Sequence, residues 1–215
     1  FAAIDIGSYD VILEIFEISK KQGIRSVDKI CHRMELGKDT YTLGKIRPEM
    51  EEELCRVLAD FVRIMEGYRV DDYRATASSA ISEASNSLYV LGKIHQLTGL
   101  SVTVLSNSEQ RFLSYKALAA MEDNFNKIIE KGTAILDLDG GSFQISLFDK
   151  DALVTTQNIR MGSLRIRERL AGIQSETEHY EEMVEELIWN EVSSFKKMYL
   201  KDRKIENIML IGDVF

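Results

Sequence analysis

Two segments of the sequence place an aspartate just before a turn of glycine and serine that separates two strand-like apolar runs. The aspartate is Asp5 in AAIDIGSYDVILEIF and Asp137 in AILDLDGGSFQISLF. Glycine lets backbone N–H groups approach a phosphate closely, and a serine hydroxyl adds a further donor. The two turns are therefore candidate phosphate-binding sites, and the residues expected to contact phosphate in them are Gly7, Ser8, Gly140, Gly141 and Ser142.

The two aspartates cannot contact a phosphate directly without charge repulsion. Their carboxylate oxygens suit Mg²⁺, which can be held directly or through water and can offset the phosphate charge. We therefore expect Asp5 and Asp137 to be metal ligands, with Asp139, inside the second turn, as a third candidate. A single Asp-x-Gly turn is common in ordinary hairpins, whereas two turns at matched positions favour a functional site.

The matched segments form an internal repeat, in which strand, aspartate, glycine turn and strand recur in the same order. Such a repeat predicts two duplicated α/β lobes, each bringing one turn to a shared cleft. The predicted domains are residues 1–124 and 125–215, with the polar segment 127–132 near their junction. Hydrophobic periodicity predicts helices at 48–67, 86–99, from 106, 163–171 and 176–200, and strands within 1–18, 24–34, 71–77, 101–106, 133–160 and 205–215.

The composition argues against several classes of protein. The chain has 35 acidic and 27 basic residues and a net charge of −8, which disfavours a nucleic-acid-binding surface. The nearest basic cluster is expected to be a solvated helix face and consists of Arg160, Arg165, Arg167 and Arg169. We see no membrane-spanning apolar run, no secretory signal, and no cysteine or histidine spacing typical of a zinc site. These features favour a reduced, cytoplasmic protein.

Five segments, in order along the chain, resemble the exopolyphosphatase and guanosine pentaphosphate phosphohydrolase (Ppx/GppA) family. AAIDIGSYD resembles the family pattern AIDIGSNS, ASSAISEASN resembles ATSALREAxN, and AILDLDGGSFQISLFD resembles the DIGGGSTEL strand and turn. VLSNSEQRFLSYKAL and RMGSLRIRERL resemble two further family segments. The family belongs to the actin-like ATPase superfamily, so the resemblance implies an α/β fold with two ribonuclease-H-like lobes around a central cleft. Because the family's second lobe continues past the strand that ends this sequence, we expect that lobe to be incomplete here.

Three positions depart from the family pattern. Ser82 stands where the family has an arginine that binds phosphate, and Asp139 stands within the glycine run of DIGGGS. Gln110 stands where the family has the glutamate that positions the attacking water, with Glu109 beside it. Glutamine can orient a water but cannot accept its proton at neutral pH, and serine lacks the charge of arginine. Glu109 is the alternative base, although adjacent residues of a helix point ~100° apart.

The resemblance implies a Mg²⁺-dependent phosphoanhydride hydrolase that releases phosphate from inorganic polyphosphate or guanosine pentaphosphate. In that role Gln110 and Glu109 are the catalytic candidates, and Ser82 belongs to the phosphate-binding set. The three departures keep a second hypothesis open, in which an inactive or weakly active member binds a phosphorylated ligand or a partner for regulation. Neither a nucleic acid nor a membrane is an expected partner, and a homodimer is one open alternative for the assembly.

Overall fold

The chain folds into two compact α/β units, Phe1–Ser106 and Asn107–Phe215. The computed structural model describes residues 1–21, 23–122, 124–172, 179–201 and 203–212. The division lies earlier than the predicted domain boundary at 124/125, because Tyr115 and Leu118 of the intervening helix pack on the core of the second unit. The segment 127–132, predicted as a junction, therefore lies inside the second unit.

The first unit contains a five-stranded sheet with the strand order β3-β2-β1-β4-β5. Its elements are β1 (Ala2–Ile6), β2 (Asp10–Ser19), β3 (Gly23–Arg33), α1 (Leu36–Leu43), α2 (Pro48–Gly67), β4 (Tyr73–Ala77), α3 (Ser79–Ser82), α4 (Ser87–Thr98) and β5 (Val102–Val104). Strand β1 pairs antiparallel with β2 and parallel with β4, and β2 pairs antiparallel with β3. The strands predicted within 1–18 and 24–34 are confirmed and form an antiparallel meander, whereas the sequence patterns did not predict α1 or α3.

Alternation of side chains along β1 separates a buried face from an exposed one. Ala2, Ile4 and Ile6 are buried, while Asp5 between them is exposed. The apolar face of β1 packs in the same core cluster as the apolar face of α2. Helix α2 begins at Pro48, a position where a backbone N–H would have no partner within the helix, so proline is favourable there. The buried stripe of this helix includes Leu54, Leu58, Phe61 and Met65. The core thus fixes β1 so that Asp5 projects from the strand's solvent side.

The second unit contains a four-stranded sheet with the strand order β8-β7-β6-β9. Its elements are α5 (Asn107–Met121), α6 (Phe125–Ile129), β6 (Thr133–Leu138), β7 (Phe143–Asp149), β8 (Ala152–Ile159), α7 (Ser163–Leu170), α8 (Tyr180–Tyr199) and β9 (Asn207–Gly212). The helices and strands predicted for this region are confirmed. Helix α6 was not predicted. The first residues of the predicted helix 176–200 lie outside the described residues.

Two apolar clusters hold the helices of the second unit against its sheet. One contains Phe195 of α8 together with Ala134 and other sheet residues, and the second contains Ile135 together with Phe125 of α6 and Tyr115 of α5. Successive residues of a strand point to opposite faces. Because Ala134 and Ile135 are adjacent in β6, α8 covers one face of the sheet and α5 and α6 cover the other.

The two sheets repeat the same arrangement around the two aspartates. Strand β6 pairs antiparallel with β7 and parallel with β9, as β1 pairs with β2 and β4. Asp5 and Asp137 are each the next-to-last residue of their strand. Each also faces a residue near the start of the next strand, Ile12 for Asp5 and Gln144 for Asp137. The predicted duplication of two α/β lobes is therefore confirmed in topology and in register.

Two further observations concern the cysteines and the helices. Cys31 and Cys55 are free thiols, and desolvation raises the pKa of each thiol above its ordinary value. Within the described part of the chain, none of the helices combines the length and the apolar character needed to cross a membrane.

Candidate active site

The second glycine turn, residues 139–142, connects β6 to β7 and is closed by a backbone hydrogen bond. The N–H of Asp139 donates to the carbonyl oxygen of Ser142 at 3.0 Å. Gly140 and Gly141 are buried, whereas Asp139 and Ser142 remain partly exposed. The turn therefore has a buried glycine pair between two residues that solvent or a ligand can reach.

The carboxylate of Asp139 lies against donors of its own unit. Its Oδ1 accepts the N–H of Gly140 at 2.8 Å, and its Oδ2 accepts the side-chain amide of Gln110 at 3.3 Å. The sequence assigned the Gly140 N–H to a phosphate. In the structure a protein carboxylate occupies this donor.

Helix α5 presents two polar side chains to the two aspartates of this region. Gln110 contacts Asp139, and the hydroxyl of Ser114 lies 3.5 Å from Oδ2 of Asp137. Residues four apart in a helix share a face, so both carboxylates face the same side of α5. Glu109, one position away from Gln110, is exposed. Of the two catalytic candidates, Gln110 is thus the one whose contact with the acidic turn is established.

Helix α7 holds the carbonyl oxygens of the turn from the other side. Its first backbone N–H groups donate to the carbonyls of Asp139 and Gly140 at 3.1 Å, and Nε of Arg165 donates to the carbonyl of Gly141 at 2.9 Å. A Cβ at Gly162 would lie 2.4 Å from the Asp139 carbonyl, so this close approach requires glycine. The contacts fix the turn and place a guanidinium beside it.

The remaining donors of the turn are the backbone N–H groups of Gly141 and Ser142. Within the described ranges, neither N–H group has a hydrogen-bond partner. Backbone N–H groups at a turn are suited to binding an anion. These two are the backbone donors of the second turn that the local hydrogen bonds leave available.

The first glycine turn is closed in the same way, but its hydroxyl faces inward. The N–H of Gly7 donates to the carbonyl of Asp10 at 2.9 Å. Ser8 is fully buried, and its hydroxyl lies 2.7 Å from that of Tyr41, which lies 2.7 Å from that of Ser79. In this structure the Ser8 hydroxyl thus belongs to an internal network, and its contact with phosphate stays a prediction.

The other predicted residues of the first unit lie at its surface. The carboxylate of Asp5 is exposed and lies 3.4 Å from the hydroxyl of Thr76 on the neighbouring strand. Ser82 is exposed at the last position of α3. The expectation that Asp5 and Asp137 share one cleft stays a prediction.

The carboxylates can be compared with the requirements of a magnesium ion. Among the residues that the structure describes, no group of three histidine, cysteine, aspartate or glutamate side chains could hold a metal ion. Mg²⁺, however, is commonly bound by only one or two carboxylates together with water and substrate phosphates. Asp137 and Asp139, partly exposed and facing one side of α5, fit this second mode.

Comparison with known proteins adds to this geometry. The Ppx/GppA phosphatase family matches residues 14–213 of the chain. The chain belongs to this family. The resemblance seen in the five sequence segments is thereby confirmed, together with its implied actin-like α/β fold.

Individual curated proteins are similar to the chain at low sequence identity. A bifunctional 3-dehydroquinate synthase/phosphatase of Fusobacterium nucleatum is 22% identical over 174 residues, which are 78% of this chain and 26% of that protein. Exopolyphosphatase 1 of Mycobacterium leprae is 25% identical over 144 residues, which are 66% of this chain and 41% of that protein. The chain therefore spans less than half the length of these two curated relatives.

A solved structure shows the same fold. The crystal structure of an exopolyphosphatase from Cytophaga hutchinsonii aligns with a TM-score of 0.81 at 20% identity, over 98% of this chain and 65% of that one. At this identity the structural similarity establishes the fold, whereas the chemistry has to be inferred from the residues of the site.

Two residues of the candidate site were not found by sequence patterns. Ser114 is one helical turn beyond Gln110, and only the packing of α5 on the second sheet reveals its contact with Asp137. Arg165 belongs to the arginine cluster expected to be a solvated helix face, yet its Nε is bonded to the glycine turn. Arg167 of the same cluster instead pairs with Glu168 at 2.9 Å.

Proposed function

We propose that the protein is a phosphoanhydride hydrolase of the exopolyphosphatase type, which releases phosphate from inorganic polyphosphate or guanosine pentaphosphate with the help of Mg²⁺. The observation that supports this proposal most directly is the matched placement of Asp5 and Asp137 at the ends of equivalent strands, each before a glycine turn. Membership of the Ppx/GppA phosphatase family agrees with it.

The second turn would bind the terminal phosphate. The N–H groups of Gly141 and Ser142 are its remaining backbone donors, and the guanidinium of Arg165 adds a positive charge beside them. Mg²⁺, bound by Asp137 with Asp139 as a further ligand, would offset the negative charge of the phosphate. In the reaction, the oxygen of a water bonds to the terminal phosphorus and the bridging P–O bond breaks. The bridging oxygen leaves with the remainder of the substrate, the proton lost by the water passes to solvent, and inorganic phosphate is released.

Gln110 is the residue proposed to orient the attacking water. Its side-chain amide nitrogen already donates to Asp139, and an amide oxygen can accept a hydrogen bond from water. Because an amide does not take up the proton, turnover is expected to be slower than with a glutamate, for which general-base catalysis typically contributes roughly 10²- to 10⁴-fold.

A second candidate function is the binding of a phosphorylated ligand without turnover. The contact that favours it is the bond between the Asp139 carboxylate and the Gly140 N–H, which removes one donor from the turn and adds a negative charge. In this case the fold would recognise a ligand and transmit its presence to a partner.

Phosphate release from polyphosphate by the full-length protein with Mg²⁺ distinguishes the two functions. We expect slow release that falls in Gln110→Ala and rises well above the unmutated rate in Gln110→Glu, which changes little in volume. The combined variant Gln110→Glu, Ser82→Arg and Asp139→Gly should exceed any single variant, because it restores a base, a phosphate contact and a glycine that act on one transition state, while Asp137 remains to hold the ion.

Two results would overturn the assignment. Rapid hydrolysis that is unaffected by Gln110→Ala would place the water-orienting role on another residue, with Glu109→Gln as the variant to measure next. An absence of hydrolysis in both the unmutated protein and the combined variant, with phosphate binding retained, would establish the binding function instead.

A further inference from the structure

A polar cavity lies in the second unit, at the end of the sheet opposite to the glycine turn. It has a volume of about 670 Å³. Its lining includes Lys131 and Gly132, which precede β6, whereas residues 139–142 follow that strand. Strand β6 has six residues at ~3.3 Å each, so the cavity and the turn are about 20 Å apart.

Five cationic side chains from separate segments line this cavity. They are Lys131, Lys150, Lys201, Arg203 and Lys204, and we call them the basic cavity cluster. Three acidic residues, Glu130, Asp149 and Glu206, are also in the lining. The described lining therefore has an excess of two positive charges in a chain whose net charge is −8.

The backbone brings the segments of the cluster together by close contacts. A Cβ at Gly132 would lie 2.0 Å from the carbonyl oxygen of Lys204, so glycine permits this approach. The carbonyl of Gly132 accepts the N–H of Glu206 at 2.7 Å and that of Asn207 at 3.2 Å. Lys131 and Lys204 are thus held on neighbouring backbone segments.

Lys150 is positioned by a two-residue hairpin turn between β7 and β8. Lys150 and Asp151 have φ values of 52° and 61°, as a type I′ turn requires. Their N–H groups donate to the carbonyls of Glu130 at 3.1 Å and Ile129 at 3.3 Å, at the end of α6. The lysine therefore projects from a fixed turn rather than from a free loop.

The acids in the lining do not balance the cations. Glu206 pairs with both Lys131 and Lys204 at 3.7 Å, and Arg203 pairs with Asp149 at 3.4 Å. Pairs at such distances between exposed side chains contribute little to stability. Neither Lys150 nor Lys201 forms an ion pair with any residue that the structure describes. Two ammonium groups are therefore available to an external anion.

We propose that the basic cavity cluster is a binding site for a condensed phosphate anion, separate from the glycine turn. A concave surface of one charge sign concentrates anions, and lysine binds phosphate as a compact point charge. A multiply charged anion gains from several lysines at once, while the negative charge of the whole chain disfavours its binding elsewhere. This site needs no metal, since the cations of the protein supply the positive charge.

Calorimetric titration with tripolyphosphate tests the proposal. The full-length protein is titrated at low ionic strength with a chelator and without divalent cations, so the outcome does not depend on hydrolysis or on the proposed magnesium site. We expect the double variant Lys150→Gln, Lys201→Gln to bind about tenfold more weakly, since each lysine would make a charge-assisted contact. The matched control is Lys20→Gln, Lys21→Gln, which removes the same charge from an exposed turn of the first unit and should bind as the unmutated protein does.

Each alternative result contradicts the proposal. Equal weakening in the control pair would show a general charge effect, and unchanged affinity in the cavity pair would show that tripolyphosphate binds elsewhere. The cluster also lies beside the C-terminus of α8, where cations are favourable for a helix. A lower melting temperature of the cavity pair with unchanged tripolyphosphate affinity would assign the lysines to that structural role.

Discussion

Replacing Asp139 by asparagine should strengthen the binding of phosphate to the second glycine turn in the absence of metal. The carboxylate of Asp139 accepts the N–H of Gly140 at 2.8 Å, so it occupies part of the site and repels an incoming anion. Asparagine keeps the shape of the side chain and an oxygen that can accept this N–H, but it removes the charge. The variant therefore isolates the electrostatic effect.

The size of the effect follows from the distance between the two charges. For an assumed separation of ~6 Å between the anion and the Asp139 carboxylate, unit charges repel by about 2.8 kcal/mol at an effective dielectric constant of ~20 and by about 0.7 kcal/mol at ~80. Because the side chain is partly exposed, an intermediate value applies. A value of about 1.4 kcal/mol corresponds to a tenfold change in the dissociation constant.

The assay follows the amide signals of Gly140 and Gly141 by ¹⁵N nuclear magnetic resonance while inorganic phosphate is added. These signals report the turn itself, so binding at other cationic sites does not interfere. We expect a dissociation constant about tenfold lower for Asp139→Asn, and no change for Asp71→Asn, an exposed residue of the first unit that alters the net charge equally.

Unchanged or weaker phosphate binding by Asp139→Asn without metal would refute the repulsion argument. The same titration with Mg²⁺ tests the other role of this residue. If Asp139 is a metal ligand, its replacement should weaken Mg²⁺-dependent binding, so the sign of the effect would reverse when the ion is added.

Two further predictions concern the two units separately. Asp137→Ala should abolish Mg²⁺ binding measured by calorimetry. The control is Asp149→Ala, which replaces an acid at the far end of the next strand and should leave Mg²⁺ binding unchanged. Retained binding in Asp137→Ala would show that Asp137 is not a ligand of the ion. Tyr41→Phe removes the hydroxyl that lies 2.7 Å from each of two serine hydroxyls and should lower the free energy of unfolding by about 1–3 kcal/mol in denaturant titration. An unchanged free energy would mean that water replaces this hydroxyl without cost.

The strand and turn repeat could be predicted because its signals are local. In each copy, an apolar run that alternates in burial ends in an aspartate and a glycine turn, and the sequence places Asp5 and Asp137 at equivalent points. The structure adds that Gly7 and Asp139 close their turns by the same N–H to carbonyl bond. Position 139 can hold a side chain because its backbone φ is not among the positive values that favour glycine.

The assignment of α5 to the second unit could not be read from the sequence. The helix follows the last strand of the first sheet directly, and it has no buried residue to mark the face that packs. Its place is set by partly buried side chains, Tyr115 and Leu118, which meet residues of β6 and β7 beyond it in the chain. Contacts between distant segments carry no local periodicity, so the sequence predicts the helix but not the unit in which it packs.

For the same reason, the sequence revealed only part of the interactions of Asp139. The sequence showed an extra charge in a phosphate-binding turn, and repulsion was the natural inference. It could not show that Gln110, the residue that departs from the family pattern on α5, donates its amide to that very carboxylate. A glutamate at position 110 would place a second negative charge about 3 Å from the first, which is strongly unfavourable unless a proton or a cation intervenes. Gln110 and Asp139 are therefore mutually compatible, whereas a glutamate in place of Gln110 requires either glycine at position 139 or a bound cation. Restoring the glutamate alone should consequently bring less activity than restoring it together with Asp139→Gly.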